Sequence, residues 1–318
     1  MLFFDASLLM IWRLEHLTRS GVEGTVLGTL VMPYCSGIGN LIFVFVVAQQ
    51  HLPGAEVVTN SLVNNVTNMT LLIGLPAILW DMHVGAGRKS KGHKSRTRKS
   101  KANGDDARLN RLSMLLTLTA VFFFTGAVWA LGRDGRLDFG DGLVLVGLFL
   151  FWQCFHVFDV LKNNVRENKS LNWHLALDLA LLLVGGYFVY LSVQGLVKWL
   201  MTVQSGFISV KHLGWLTGWL MVMPNAVLAL YYGWRRKPEV IYTSQVGDGH
   251  ICIPLCVGLS ALIRPLGLPP FFNTAIALLG GAVVLHFLFV AFLGRLPRAV
   301  GWVLVGAYGL FLYQGLLG

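Results

Sequence analysis

The stretch TNSLVNNVTNMTLLIG, Thr59 to Gly74, sets four asparagines and three threonines at the head of a run apolar enough to sit in lipid. Amides in a membrane segment need partners there, because no water is at hand to satisfy them. Their use follows from the rest of the chain. Hydrophobic residues make up 55% of the 318 positions, charged residues 13%, and mean hydropathy is +0.65. Soluble domains carry about 25% charged residues, so the composition reads as an integral membrane protein.

Nine spans follow from apolar length: about 24–49, 55–81, 112–131, 139–161, 173–201, 211–233, 240–263, 269–293 and 299–317. Each approaches the ~20 residues that cross a bilayer as helix. The first 20 residues form a tenth, amphipathic candidate. They hold Asp5, Arg13, Glu15 and Arg19 and lack a small-residue cleavage site, unlike a signal peptide. If that segment crosses with Met1 outside, 20 of the 25 Lys and Arg fall in inside loops. Arg133, Arg136, Lys198, Lys211 and Arg264 stay outside, the asymmetry of a positive-inside protein.

The net charge of +10 does not indicate nucleic-acid binding, because ten Lys and Arg crowd into Arg88 to Arg111. Loop 83–111 reads as polar, low in complexity and cytoplasmic, with anionic-lipid contact by 88–111 as the sharper alternative. The short loops and compact chain suit a prokaryotic inner membrane. Cys35, Cys154, Cys252 and Cys256 fall in apolar segments and read as buried small residues rather than disulfides. His250 with Cys252 and Cys256 suggests a metal site on paper, which the apolar setting argues against.

Ten spans divide into two fives that look alike. The first half has LTRSGVEGTVLGTLVMPYCSGIGN and EVVTNSLVNNVTNMTLLIGLPAIL; the second has VQSGFISVKHLGWLTGWLMVMPN and EVIYTSQVGDGHICIPLCVGLSALI. Ser-Gly, Met-Pro, Asn, Glu-Val, Thr and Gly-Leu recur in order. The interval from Asn40 to Asn60 is 20 residues, and from Asn225 to Ser244 it is 19. An odd number of spans per copy turns the copies in opposite directions, the inverted-repeat plan of secondary transporters. The expected organisation is therefore an all-α polytopic membrane protein of about ten transmembrane helices. Its repeats are residues 1–161 and 162–318. In each, Gly, Pro and amides are expected to interrupt the paired helices and aim backbone and side-chain oxygens at a common depth.

These motifs resemble those of the cation/calcium exchanger superfamily, which includes the sodium/calcium exchangers. Its pattern G-N-x-x-G-S-N-x-x-N-x-x-x-x-x-G lies over Thr59–Gly74 without a gap. Asn60 falls on the first Asn, Asn64 on the Ser, Asn65 on the second Asn, Asn68 on the third and Gly74 on the closing Gly. TSQVGDGHICIPLCVG follows likewise, with Gly247 on a motif Gly, Asp248 on the Ser and Cys252 on the last Asn or Asp position. The acidic residue of the partner motif G-T-S-x-P-E falls on Asn225 and, allowing one extra loop residue, on Asn40; of its hydroxyls only Ser36 survives, the second copy reading Met221 and Val222.

The resemblance implies ten helices, a midplane cation site between the repeats, and alternating access driven by sodium or protons. The helices near 1–20 and 180–205 would slide as a pair. It assigns the cation to Ser36, Asn40, Asn64, Asn68, Asn225 and Asp248, with Asn65, Ser244 and His250 as secondary candidates. Calcium and sodium are the implied cargo, with no cofactor, no structural metal and no catalysis.

This chain departs from the family where both signature glutamates are amides, and its long polar loop follows the third span rather than the fifth. Calcium favours several oxygens including carboxylates. A single carboxylate, Asp248, among amides suits a monovalent ion or a loosely held divalent one. A monovalent-cation or proton exchanger is the rival within the class, and His250, two residues beyond Asp248, would serve proton coupling.

Two rivals come from other classes. One is a membrane-embedded enzyme built on His156/Asp159 and His174/Asp178. The other is a non-transporting binding protein acting through the basic loop. His156/Asp159 and His174/Asp178 also read as interfacial anchors, and Glu56 and Glu239 as caps of the helices they begin.

Overall fold

The computed structural model describes the backbone of residues 2–19, 26–80, 82–83, 98–164, 173–203 and 205–317. Side chains are described for residues 2–10, 12–13, 37–80, 82–83, 111–155, 157–158, 177–203 and 205–317. Ser36, His156, Asp159, His174 and the basic loop short of Arg111 therefore lie outside the described side chains.

The described residues are helical almost throughout. α1 is Leu2–Arg19, α2 is Val26–Gln49, α5 is Arg98–Leu131, α6 is Phe139–Asn164, α7 is Trp173–Thr202, α8 is Leu213–Trp234 and α12 is Arg298–Leu316. Two further spans are broken. α3, Ala55–Met69, and α4, Leu71–Leu79, are separated at Thr70. α9, Pro238–Ile251, and α10, Gly258–Ile263, are separated by a π-helical turn over Cys252–Val257. α11, Phe272–Leu288, also ends in a π-helical turn, Phe289–Leu293. Among the described residues, seven of these rods are long and apolar enough to cross a membrane. The apolar windows of the two broken spans are 78% buried, against 28% for α12, so the amide-rich helices face protein rather than lipid.

The breaks fall in the second helix of each paired set and not in the first. Pro224 sits inside α8 without ending it, and α2 is continuous through Gly37 and Gly39. The expected interruption of both partners is corrected to this extent. A membrane helix tolerates an internal proline where its neighbours or small local adjustments satisfy the freed groups.

The chain forms two compact units, and each draws on both halves of the sequence. Unit 1 comprises Met1–Asn64, Ala127–Pro224 and Asp248–Phe272; unit 2 comprises Asn65–Gly126, Asn225–Gly247 and Asn273–Gly318. Each holds a two-residue antiparallel strand pair. In unit 1, β2 (Arg136–Leu137) pairs with β3 (Leu266–Gly267). In unit 2, β1 (Met82–His83) pairs with β4 (Arg295–Leu296).

Each unit also holds a close approach of two glycine-bearing helices, reciprocal between the glycines in unit 2. A Cβ at Gly142 of α6 would lie 2.8 Å from the Gly258 carbonyl oxygen of α10. A Cβ at Gly301 of α12 would lie 2.8 Å from the Gly74 oxygen of α4. Gly74 and Gly258 are the closing glycines of the two motifs, so the motif's last position serves close helix approach.

In unit 1, α1 lies along α7, with Gly185 leaving room for Met10. Their polar tie is Arg13 Nη1 to Asp178 Oδ1 at 3.3 Å, the carboxylate being nearly fully buried. Asp178 thus pairs across helices with an arginine. Removing one member of a buried pair strands the other. Arg13→Leu is expected to destabilise the detergent-solubilised protein by on the order of 3 kcal/mol. The double variant with Asp178→Leu should recover most of that, read as melting temperatures. Equal melting of single and double variants would show the pair to be uncoupled.

Candidate functional site

The sequence candidates divide between the units, and within each unit the structure brings a pair together. In unit 1, α2 and α3 approach so that Asn64 Nδ2 donates to Asn40 Oδ1 at 3.4 Å. Asn64 is wholly buried and Asn40 nearly so. The approach of α3 to α8 is set by glycine: a Cβ at Gly218 would meet Val63 Cβ at 2.8 Å and the Asn60 oxygen at 3.1 Å. Beside it, Asn60 Nδ2 donates to Thr217 Oγ1 at 3.1 Å. Asn60, Asn64 and Asn68 are spaced four apart on α3 and so share a face.

In unit 2, α8 and the start of α9 place Ser244 Oγ 3.5 Å from Asn225 Oδ1, at the outer limit of a hydrogen bond. Gln245 Nε2 donates to the Asn225 backbone oxygen at 3.2 Å. By the motif alignment Asn225 corresponds to Asn40. In both units the position of the lost glutamate thus contacts the following helix, at Asn64 in unit 1 and, one turn earlier in the motif, at Ser244 in unit 2. Asn65 and Asn68 are buried completely in unit 2.

Asp248 opens the unit 1 part of α9 and is 1% exposed. It lies in the regular helix before the π-helical turn, as does His250. The His250 ring lies 5.4 Å, centroid to centroid, from that of Trp152 on α6. Cys252 and Cys256 are buried thiols outside any disulfide, as read; Cys154 is exposed, a correction that follows from its place on the outer face of α6. Among the described residues, no group of three His, Cys, Asp or Glu is placed to hold a metal. A cation bound here would rest mainly on amide and hydroxyl oxygens.

The capping reading of Glu56 is also corrected. Its carboxylate Oε2 accepts the Gly214 N–H at 2.7 Å, at the first turn of α8 rather than of its own helix. A helix start leaves N–H groups without internal partners, and a carboxylate from a neighbouring helix satisfies one of them.

Three residues escaped sequence reading. Thr217 and Gln245 carry no motif signal of their own. His286 did carry one, as an ionisable residue in the apolar run ALLGGAVVLHFLFVAFL. In unit 2 its Nε2 lies 2.7 Å from the Met69 oxygen and its Nδ1 3.2 Å from the Tyr242 hydroxyl.

The family model described as sodium/calcium exchanger protein matches residues 4–158. Curated proteins give no match. Solved structures of the sodium-calcium exchanger NCX_Mj share the fold along the whole chain. The form soaked with 10 mM Na+ and 10 mM Sr2+ gives a TM-score of 0.65 at 21% identity, covering 100% of this chain and 95% of that one. The form soaked with 10 mM Na+ and zero Ca2+ gives 0.65 at 19% identity with the same coverage. The form soaked with zero Na+ and Ca2+ gives 0.62 at 19% identity, covering 98% and 94%. The fold is shared with that exchanger, and the family model matching the first half of the chain is one of exchangers.

Proposed function

We propose that this chain belongs with the sodium/calcium exchangers, whose family model matches residues 4–158 and whose fold it shares, and that it moves cations across a membrane by alternating access. The observation that carries the reading is that in each unit the lost-glutamate position contacts the following helix, Asn40 with Asn64 in unit 1 and Asn225 with Ser244, a turn earlier in the motif, in unit 2. Ser36, Asn40, Asn64, Asn68, Asn225 and Asp248 are the proposed cation ligands, with Asn65, Ser244 and His250 secondary. Amide oxygens replace water around the ion, and Asp248 supplies the negative charge that offsets its desolvation.

The repeats are residues 1–161 and 162–318, inverted, with five spans each. The glycine and strand pairs support this, because each joins equivalent positions with the two halves exchanged. α1 and α7, packed along one another, are the pair that slides. Segment 83–111, whose described part from Arg98 opens α5 and is helix rather than loop, is cytoplasmic in a prokaryotic inner membrane on the balance of Lys and Arg, and its 88–111 stretch meets anionic headgroups.

Calcium in exchange for sodium is the first assignment of cargo. A monovalent cation or proton is the second, favoured by the amides at Asn40 and Asn225, since two fewer carboxylates weaken the hold on a divalent ion. Purified protein in liposomes with an outward sodium gradient is expected to take up calcium-45, and Asn225→Ala to raise the KM for calcium about tenfold. Gradient-independent background uptake in folded protein would overturn the calcium assignment. Failure of parallel sodium, potassium and proton flux assays as well would overturn transport.

A further inference from the structure

We propose that His286 is a positioning residue of the transport site, orienting Asn68 and Ser244 through the two groups it holds. The inference rests on the transporter reading above. A carbonyl oxygen only accepts, so the 2.7 Å contact to Met69 fixes the hydrogen on His286 Nε2. Nδ1 is left to accept the Tyr242 hydroxyl at 3.2 Å. The two rings meet edge to face, with centroids 5.5 Å apart at 88°, which holds the imidazole plane. Histidine and tyrosine are both fully buried.

The partners of His286 give the contact its meaning. Met69 is the last residue of α3, directly before the break at Thr70. The last carbonyls of a helix have no partner in the helix itself and must find one outside it. His286 supplies that partner from α11, and the residue before Met69 is Asn68. Tyr242 lies on α9 two residues before Ser244, which reaches Asn225. One imidazole thus grips the backbone next to a candidate ligand of the first half and the helix carrying one of the second. All of these residues belong to unit 2. A second tie, Thr67 Oγ1 to the Tyr308 hydroxyl at 3.4 Å, fastens the same turn of α3 to α12. That turn is therefore held on two sides, and the histidine hold also reaches α9 through Tyr242.

Two isosteres separate this role from simple filling of the core. Glutamine places its amide nitrogen near the position of imidazole Nε2 and keeps the donor to Met69. Asparagine reaches only the Nδ1 position, facing Tyr242. In proteoliposomes His286→Gln is expected to keep the cation KM within about twofold of native. His286→Asn should raise it about tenfold, with kcat within threefold for both. Tyr242→Phe, which leaves the Met69 contact in place, should raise KM less than His286→Asn does.

Native-state hydrogen exchange gives a readout that needs no transport. Exchange in a peptide covering residues 66–74 should quicken about tenfold in His286→Asn and not in His286→Gln, with a control peptide from α12 unchanged in both. Equal KM and equal exchange in the two isosteres would overturn the proposal. If native protein moves no tested cation, the transporter reading fails, and the exchange comparison still decides whether His286 sets the geometry at the break.

Discussion

Asp248→Asn is expected to bring cation uptake down to that of protein-free liposomes while leaving the protein folded. The substitution keeps size and shape and removes only the charge. On insertion scales a charged residue at mid-membrane costs about 2.5–3.5 kcal/mol, and Asp248 is 1% exposed. A cost of that size is carried where the charge meets an ion. Among the six proposed primary ligands it is the single carboxylate. Its loss should weaken cation affinity by about 100-fold, or roughly 3 kcal/mol at 1.4 kcal/mol per decade.

The same substitution carries an opposite sign for stability. Without cation, Asp248→Asn should melt at the native temperature or above it, because a desolvated charge has gone. Native protein should gain stability on adding cation by mass action, and the variant should not. Uptake within twofold of native would remove Asp248 from the site. Lower melting without cation would make it a structural residue.

The second large effect concerns folding. Gly301→Leu is expected to abolish accumulation of folded protein. A Cβ at this position would stand 2.8 Å from the Gly74 oxygen, 2.9 Å from Ile78 Cγ1 and 3.2 Å from Ile78 N. Two of these are backbone atoms, so relief requires α4 and α12 to separate. Even Gly301→Ala should cost about 1–3 kcal/mol as overpacking.

Gly306, on the same helix, has nothing within 4 Å of a Cβ built there. Gly306→Ala should be neutral or gain up to about 1 kcal/mol of helix propensity. Fluorescence-detected size exclusion and thermal melting of the three variants test this. Equal melting of Gly301→Ala and Gly306→Ala would show that close approach of these helices is dispensable.

Local pattern made much of this legible. The run Thr59–Gly74 marked both the buried amide helix and its break, because an apolar span with asparagines at intervals of four can only face protein. The matched run from Thr243 placed the second break, where Pro254 sits within a π-helical turn. What pattern could not reach was tertiary. The bond of Glu56 goes to Gly214, and the histidine at 286 finds its acceptor on Met69, both far away in sequence. A lone histidine in an apolar span signals only that some partner exists. Pro224 misled in the other direction, since proline lowers the odds of a continuous helix but α8 absorbs it. The closing glycines appeared as motif letters, and Gly142 and Gly301, which approach them, have no motif at all.

Those glycine pairs bear on how the protein is made. As the chain is synthesised, α4 enters the membrane early, yet the helix that fits against Gly74 is the last described, α12. α6 likewise waits for α10. The first half therefore leaves the ribosome with two small-residue seams open to lipid, and both close only when the second half arrives. Such long-range closure is slow, and exposed seams invite mispairing meanwhile. An α12 from a neighbouring nascent chain would fit α4 as well as its own does, so exchange of α12 between copies is the misassembly this architecture must outrun.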